Sequence, residues 1–99
     1  MARYDVYRAR GLAGWVLDLQ SDLLEPLNTR IVVPLMPIAS APKPAKRLNP
    51  IFEIDGEQVV MVTQFASAVS MAEIGKPVAN LGRHSAEITS ALDMLFQGF

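Results

Sequence analysis

Ile51-Phe52-Glu53-Ile54-Asp55-Gly56-Glu57-Gln58-Val59-Val60-Met61-Val62-Thr63 is the stretch that decides the fold. Two β-rich runs, residues 51–54 and 58–63, flank Asp55-Gly56. An Asp-Gly pair suits the type I′ turn, because both central residues of that turn need positive φ. The stretch predicts a tight antiparallel hairpin.

The flanks extend the pattern. Towards the N-terminus, residues 3–8 read as a strand, with two tyrosines among alternating residues. Gly11 and Gly14 bracket a turn, and residues 15–20 form the return strand. Trp15, Leu17 and Leu19 face one way there, and Asp18 and Gln20 the other. Tyr4, Val6, Trp15, Leu17 and Leu19 are expected to share one hairpin face. Pro26 and Asn28 mark a loop. Ile31-Val32-Val33-Pro34-Leu35 is a β-branched third strand, and Pro34 places its end at a sheet edge or bulge. Residues 37–50 hold four prolines, three basic residues and no acid, which predicts a mobile, extended loop of local charge +3. Residues 66–71 read as a further short strand.

Towards the C-terminus, Ile88, Ala91, Leu92, Leu95, Phe96 and Phe99 recur at helical spacing, so an amphipathic helix is expected. Ser85 or its neighbour caps its start, Glu87 suits the first-turn dipole, and Gly98 stands where a C-cap glycine belongs. The sum is five or six antiparallel strands and a C-terminal α-helix, an α+β or small-barrel fold. One domain over residues 1–99 is expected, with no internal repeat.

Composition narrows the chemistry. The chain has 99 residues, 51% hydrophobic and 19% charged, a globular profile. A net charge of −1 argues against a whole-domain grip on nucleic acid. The absence of cysteine excludes a disulfide framework, a thiolate metal site and a thiol nucleophile, and His84 is the only histidine. The N-terminal residues carry no signal-like apolar run, and no segment is long and apolar enough to span a membrane. A cytoplasmic location is the expectation.

No catalytic residue, cofactor or metal is assigned. The serines lack a G-x-S-x-G frame, and residues 11–14 are not a phosphate loop. Asp18 and Asp22 are expected to be solvated turn residues. Arg83, His84 and the basic loop are the sole support for RNA cleavage by acid–base chemistry.

Several segments in order resemble one family. They are Val6-Tyr7; Asp18-Leu19-Gln20-Ser21-Asp22-Leu23-Leu24; Arg30-Ile31-Val32-Val33-Pro34-Leu35; Leu48-Asn49-Pro50-Ile51-Phe52-Glu53-Ile54; Ile74-Gly75; Val78-Ala79-Asn80-Leu81; and residues 88–99, with Leu95-Phe96 and Gly98 at their close. The set resembles the CcdB-type toxins of bacterial toxin–antitoxin modules over almost the whole chain.

The resemblance implies an SH3-like barrel, mostly antiparallel, with a C-terminal helix, assembled as a homodimer. It implies a non-enzymatic topoisomerase poison that binds the A subunit of DNA gyrase and traps the cleaved-DNA complex. It also implies a cognate antitoxin whose disordered acidic C-terminal arm strips the toxin from gyrase, with no direct nucleic-acid readout and no membrane. Carried onto this sequence, the gyrase contacts are Leu23, Leu24, Asp93, Phe96, Gln97, Gly98 and Phe99, and the dimer contacts are Leu95 and Phe99.

The chain departs from the family in three places. Gln97 stands where gyrase poisons carry a tryptophan that stacks on an arginine of gyrase. Asp93 replaces an asparagine, and Phe99 replaces an aliphatic residue. Glutamine has no π face for a cation. Two alternatives therefore stay open: a relative that binds antitoxin without poisoning gyrase, and a ribonuclease toxin of the same fold. Independently of the family, Arg8, Arg10, Lys43, Lys46 and Arg47 form two basic clusters that suit an acidic arm.

Overall fold

The computed structural model describes residues 2–8 and 14–98. Seven strands form a mostly antiparallel, nearly closed sheet, with one helix at the C-terminal end. They are β1 (Asp5–Arg8), β2 (Trp15–Asp18), β3 (Thr29–Pro37), β4 (Ile51–Ile54), β5 (Glu57–Met61), β6 (Ser67–Ser70) and β7 (Ala79–Asn80); the helix is α1 (Ser85–Gln97). The main path runs β4-β5-β3-β2-β1-β7, and β6 also pairs with β3. This is an α+β SH3-like barrel. The resemblance implied that fold, and the strand and helix patterns reach it independently.

The Asp55-Gly56 hairpin forms as predicted. Both residues have positive φ, 52° and 78°, and Ile54 pairs with Glu57 across the turn. The first hairpin pairs Val6 with Leu17. Val6, Trp15, Leu17 and Leu19 enter the main core with Val33, Leu35, Phe52, Ile54, Val59 and Met61, and Tyr4 packs against them. Ile88 and Ala91 of α1 close this core from the helix side. At about 25 cal/mol per Å², burial of each large aliphatic side chain here contributes roughly 1.5–3 kcal/mol.

Several local expectations change. Pro34 does not end its strand: it lies inside β3, paired with Val16 of β2. The reason is the division of β3's other side. β6 pairs with residues 29–32 and β5 with residues 35–37. Pro34 falls between them and faces that junction, where its carbonyl accepts from the Val62 N–H. Proline has no N–H to return that bond, and the β3–β5 pairing ends there.

Asp18 is not a solvated turn residue, and Gln20 does not face water. Both are buried, because the barrel covers the second sheet face as well as the first. Asp18 is paired there with Arg30, while Asp22 is exposed and accepts from the Arg3 N–H at 2.8 Å. Of Ser85 and its neighbour, the neighbour His84 holds the N-cap position of α1, without a side-chain capping hydrogen bond; Ser85 is the first helical residue, and the chain enters through a 3₁₀ turn at Gly82–His84. The C-terminal cap is as predicted: Gly98 is left-handed, φ 80°, and its N–H bonds to Met94 O at 3.1 Å.

The 37–50 segment is built from turns rather than extended chain. Ser40 and Ala41 N–H groups both bond to Pro37 O. Asn49 is buried and binds Ala45 N, Met61 O and Gln64 Oε1, which fixes the end of the segment to β5.

Candidate functional site

The two most exposed large apolar side chains among the described residues, Leu23 and Phe96, fall in two places named by the sequence reading. One is the turn between β2 and β3. It contains a 3₁₀ turn, Asp22–Leu24, started by Ser21, whose Oγ accepts from the Leu23 N–H at 3.2 Å. Leu23 is 90% exposed, and Leu24 is about half exposed. Apolar side chains at a tight polar turn have no core to enter, so the geometry holds them in solvent.

The other place is the C-terminal half of α1. The helix buries Ile88 and Ala91, but its stripe outruns the barrel. Leu92, Asp93 and Leu95 are half-buried, Gln97 and Gly98 are exposed, and Phe96 is 76% exposed. The periodicity is right along the helix, yet the protomer covers only its first half. Phe99 lies outside the described residues. Among the described residues, no hydrogen bond joins the 21–28 turn to α1.

Sequence reading passed over further exposed apolar residues, among them Leu27 beside the first region, Met94 beside the second, and Phe65 on a 3₁₀ turn (Thr63–Phe65) that packs against α1. The signal for Leu27 was its place between Pro26 and Asn28, where no core strand runs. For Phe65 and Met94 the local pattern was indistinguishable from core packing.

The basic residues divide similarly. Arg8 is exposed at the end of β1, with its guanidinium 5.7 Å from the centre of the Trp15 ring. Arg10 lies outside the described residues. Lys43, Lys46 and Arg47 are exposed on the 37–50 segment. Arg47 has positive φ, 70°, and its Nε donates to Ser90 Oγ on α1 at 2.7 Å. An open groove of about 430 Å³ lies at that junction, lined by Arg47, Pro50, Ala86, Glu87 and Ser90. Arg47 of the basic cluster is thus tied to the helix.

His84 has structural company. Its ring centre lies 5.0 Å from that of Phe52, and its Nδ1 is 3.1 Å from Glu87 Oε1. No group of three or more His, Cys, Asp or Glu side chains suited to a metal occurs among the described residues. No helix among them is long and apolar enough to cross a membrane.

A family model described as "CcdB protein" matches residues 3–98. The chain belongs to the CcdB family. It is a CcdB-type toxin of a toxin–antitoxin module. The CcdB chain is also similar in fold to a solved "Endoribonuclease in complex with its cognate antitoxin from Mycobacterial species". That likeness has a TM-score of 0.73 at 14% identity, over 95% of this chain and 92% of that one. At such identity the shared property is the barrel itself.

Proposed function

We propose that this CcdB-type toxin binds the A subunit of DNA gyrase and traps its cleaved-DNA complex, without catalysing a reaction of its own. The recognition surface is the Leu23–Leu24 turn together with Asp93, Phe96, Gln97, Gly98 and Phe99 at the end of α1. The carrying observation is the exposure of Leu23 and Phe96 at family-matched positions. Exposed large apolar side chains grouped at element ends mark an interaction surface. A homodimer brings Leu95 and Phe99 of two protomers to a two-fold axis, so the helix ends form one doubled platform. Phe96 takes over the aromatic contact that Gln97 cannot make. A cognate antitoxin with an acidic arm is steered to Arg8, Arg10, Lys43, Lys46 and Arg47, which supports reversal of the gyrase complex. The cytoplasm, where gyrase resides, is the place of action.

Calorimetric titration of the dimer into the dimerisation core of the gyrase A protein tests this reading. The expected dissociation constant is about 1 μM or tighter, near −8 kcal/mol. A folded dimer that gives no heat of binding would falsify it. The fold shared with an endoribonuclease favours RNA cleavage as the second reading, with the His84–Glu87 pair as acid–base candidate. RNA cleavage that disappears in His84→Ala, beside absent gyrase binding, would establish that reading instead.

A further inference from the structure

Gln20 stands at the root of the turn that carries Leu23 and Leu24. Its side chain reaches both limbs. Nε2 donates to Leu24 O at 3.3 Å and to Thr29 O at 3.1 Å, and Oε1 accepts from the Ile31 N–H at 3.1 Å. Its backbone is held from beneath. The Gln20 N–H donates to Asp18 Oδ1 at 2.9 Å, and Arg30 Nη2 donates to Gln20 O at 3.3 Å. Asp18 and Arg30 are both 0% exposed, with Nη2 2.5 Å from Asp18 Oδ2.

The turn has little else to fix it. Residues 22–29 are all exposed, with Leu24 and Leu27 about half covered, so apolar packing contributes little to their conformation. The bonds of Leu24, Glu25 and Leu27 N–H groups run within the turn. Among the described residues, the bonds from the turn to the rest of the barrel besides those of Gln20 are Arg3 N–H to Asp22 and Met71 N–H to Asn28 O. Among these residues Gln20 alone bonds the middle of the turn, at Leu24, to the returning strand, at Thr29 and Ile31.

We propose that Gln20 is a positioning residue: it fixes the conformation in which Leu23 and Leu24 are presented to a partner, with the Asp18–Arg30 pair as its anchor. The identity of that partner rests on the gyrase reading; the clamp does not. A pre-ordered turn loses less conformational freedom on binding than a loose one. Gln20 touches no partner itself, being buried beneath the residues that do.

The test compares wild type with Gln20→Ala and Gln20→Glu. The second variant keeps an acceptor for Ile31 but removes the donors to Leu24 and Thr29. Backbone order parameters of residues 22–27, from NMR relaxation, are expected to fall from about 0.85 to below about 0.6 in both. Those of α1 stay unchanged. Affinity for the gyrase A dimerisation core falls tenfold or more, and the effect shrinks to less than about twofold in a Leu23→Ala background, because the two residues act through one turn. Unchanged order parameters in both folded variants overturn the clamp. Additive losses with Leu23→Ala overturn its role in recognition. A wild-type protein that fails to bind gyrase overturns the gyrase reading, and the order parameters then decide the clamp alone.

Discussion

Replacing Asp18 by leucine leaves the Arg30 guanidinium buried without its counter-ion. Both side chains are 0% exposed, and Arg30 gives two hydrogen bonds to Asp18 Oδ2, from Nε at 3.1 Å and Nη2 at 2.5 Å. Arg30 Nη1 already lacks a hydrogen-bond partner among the described residues, so little remains to receive the charge. Removing one member of a buried pair costs about 3–5 kcal/mol. For a domain of this size that lowers Tm by roughly 20 °C, at about 5 °C per kcal/mol. The double variant Asp18→Leu/Arg30→Met behaves differently, since replacing a whole buried pair by apolar groups is often neutral or stabilising by about 1–4 kcal/mol. Here the Gln20 N–H and C=O also lose partners, at about 1–3 kcal/mol for each buried group left unsatisfied. The double variant is therefore expected within about 2 kcal/mol of wild type. Urea denaturation followed by circular dichroism, at fixed protomer concentration, measures both. A single variant that loses under 1 kcal/mol, or a double variant no better than the single, would refute the reasoning.

Phe96→Ala is expected to change stability by less than about 0.5 kcal/mol, since the ring is 76% exposed, while gyrase affinity falls more than tenfold; equal affinity would remove Phe96 from the interface. Burial and the Asp5 carboxylate push the Tyr7 hydroxyl up to about 12. The folded state therefore holds its proton between pH 10 and 12 while the unfolded chain releases it. Stability falls with rising pH across that window, by up to about 1.4 kcal/mol per unit, and Tyr7→Phe flattens the slope in alkaline denaturation. Lys43→Ala/Lys46→Ala/Arg47→Ala slows association with the acidic antitoxin arm at low salt and weakens its salt dependence in stopped-flow traces; unchanged rates would move the arm elsewhere.

Local chemistry made much of this barrel legible. Asp55-Gly56 announced its hairpin because its φ requirement is carried by two adjacent residues. Gly98 announced the end of α1 for the same kind of reason. Asp18 was misplaced because alternation identifies an apolar face without saying whether the other face is covered. The covering comes from strand curvature and from Arg30, which lies on a different strand from Asp18. Pro34 was misplaced because a strand's neighbours can change along its length, which no window on a single strand reveals. In the site, Leu23, Leu24 and Phe96 lie at the surface where a recognition role needs them. Their apolar character alone pointed inward.

The junction at Pro34 has a consequence for the route of the chain. A strand shared by two successive neighbours has a position where one leaves before the next begins. An ordinary residue at that position would have an N–H to return the Val62 bond and prolong the ladder with β5. The imino acid removes the donor at its source. The segment after β5 is then free to depart from the sheet, turn through residues 63–65, and return beside β3 as β6. That detour lays Phe65 and its neighbours alongside α1. One ring closure in the middle of the sheet thus decides where the chain crosses the barrel, and so what the helix finds to lean on.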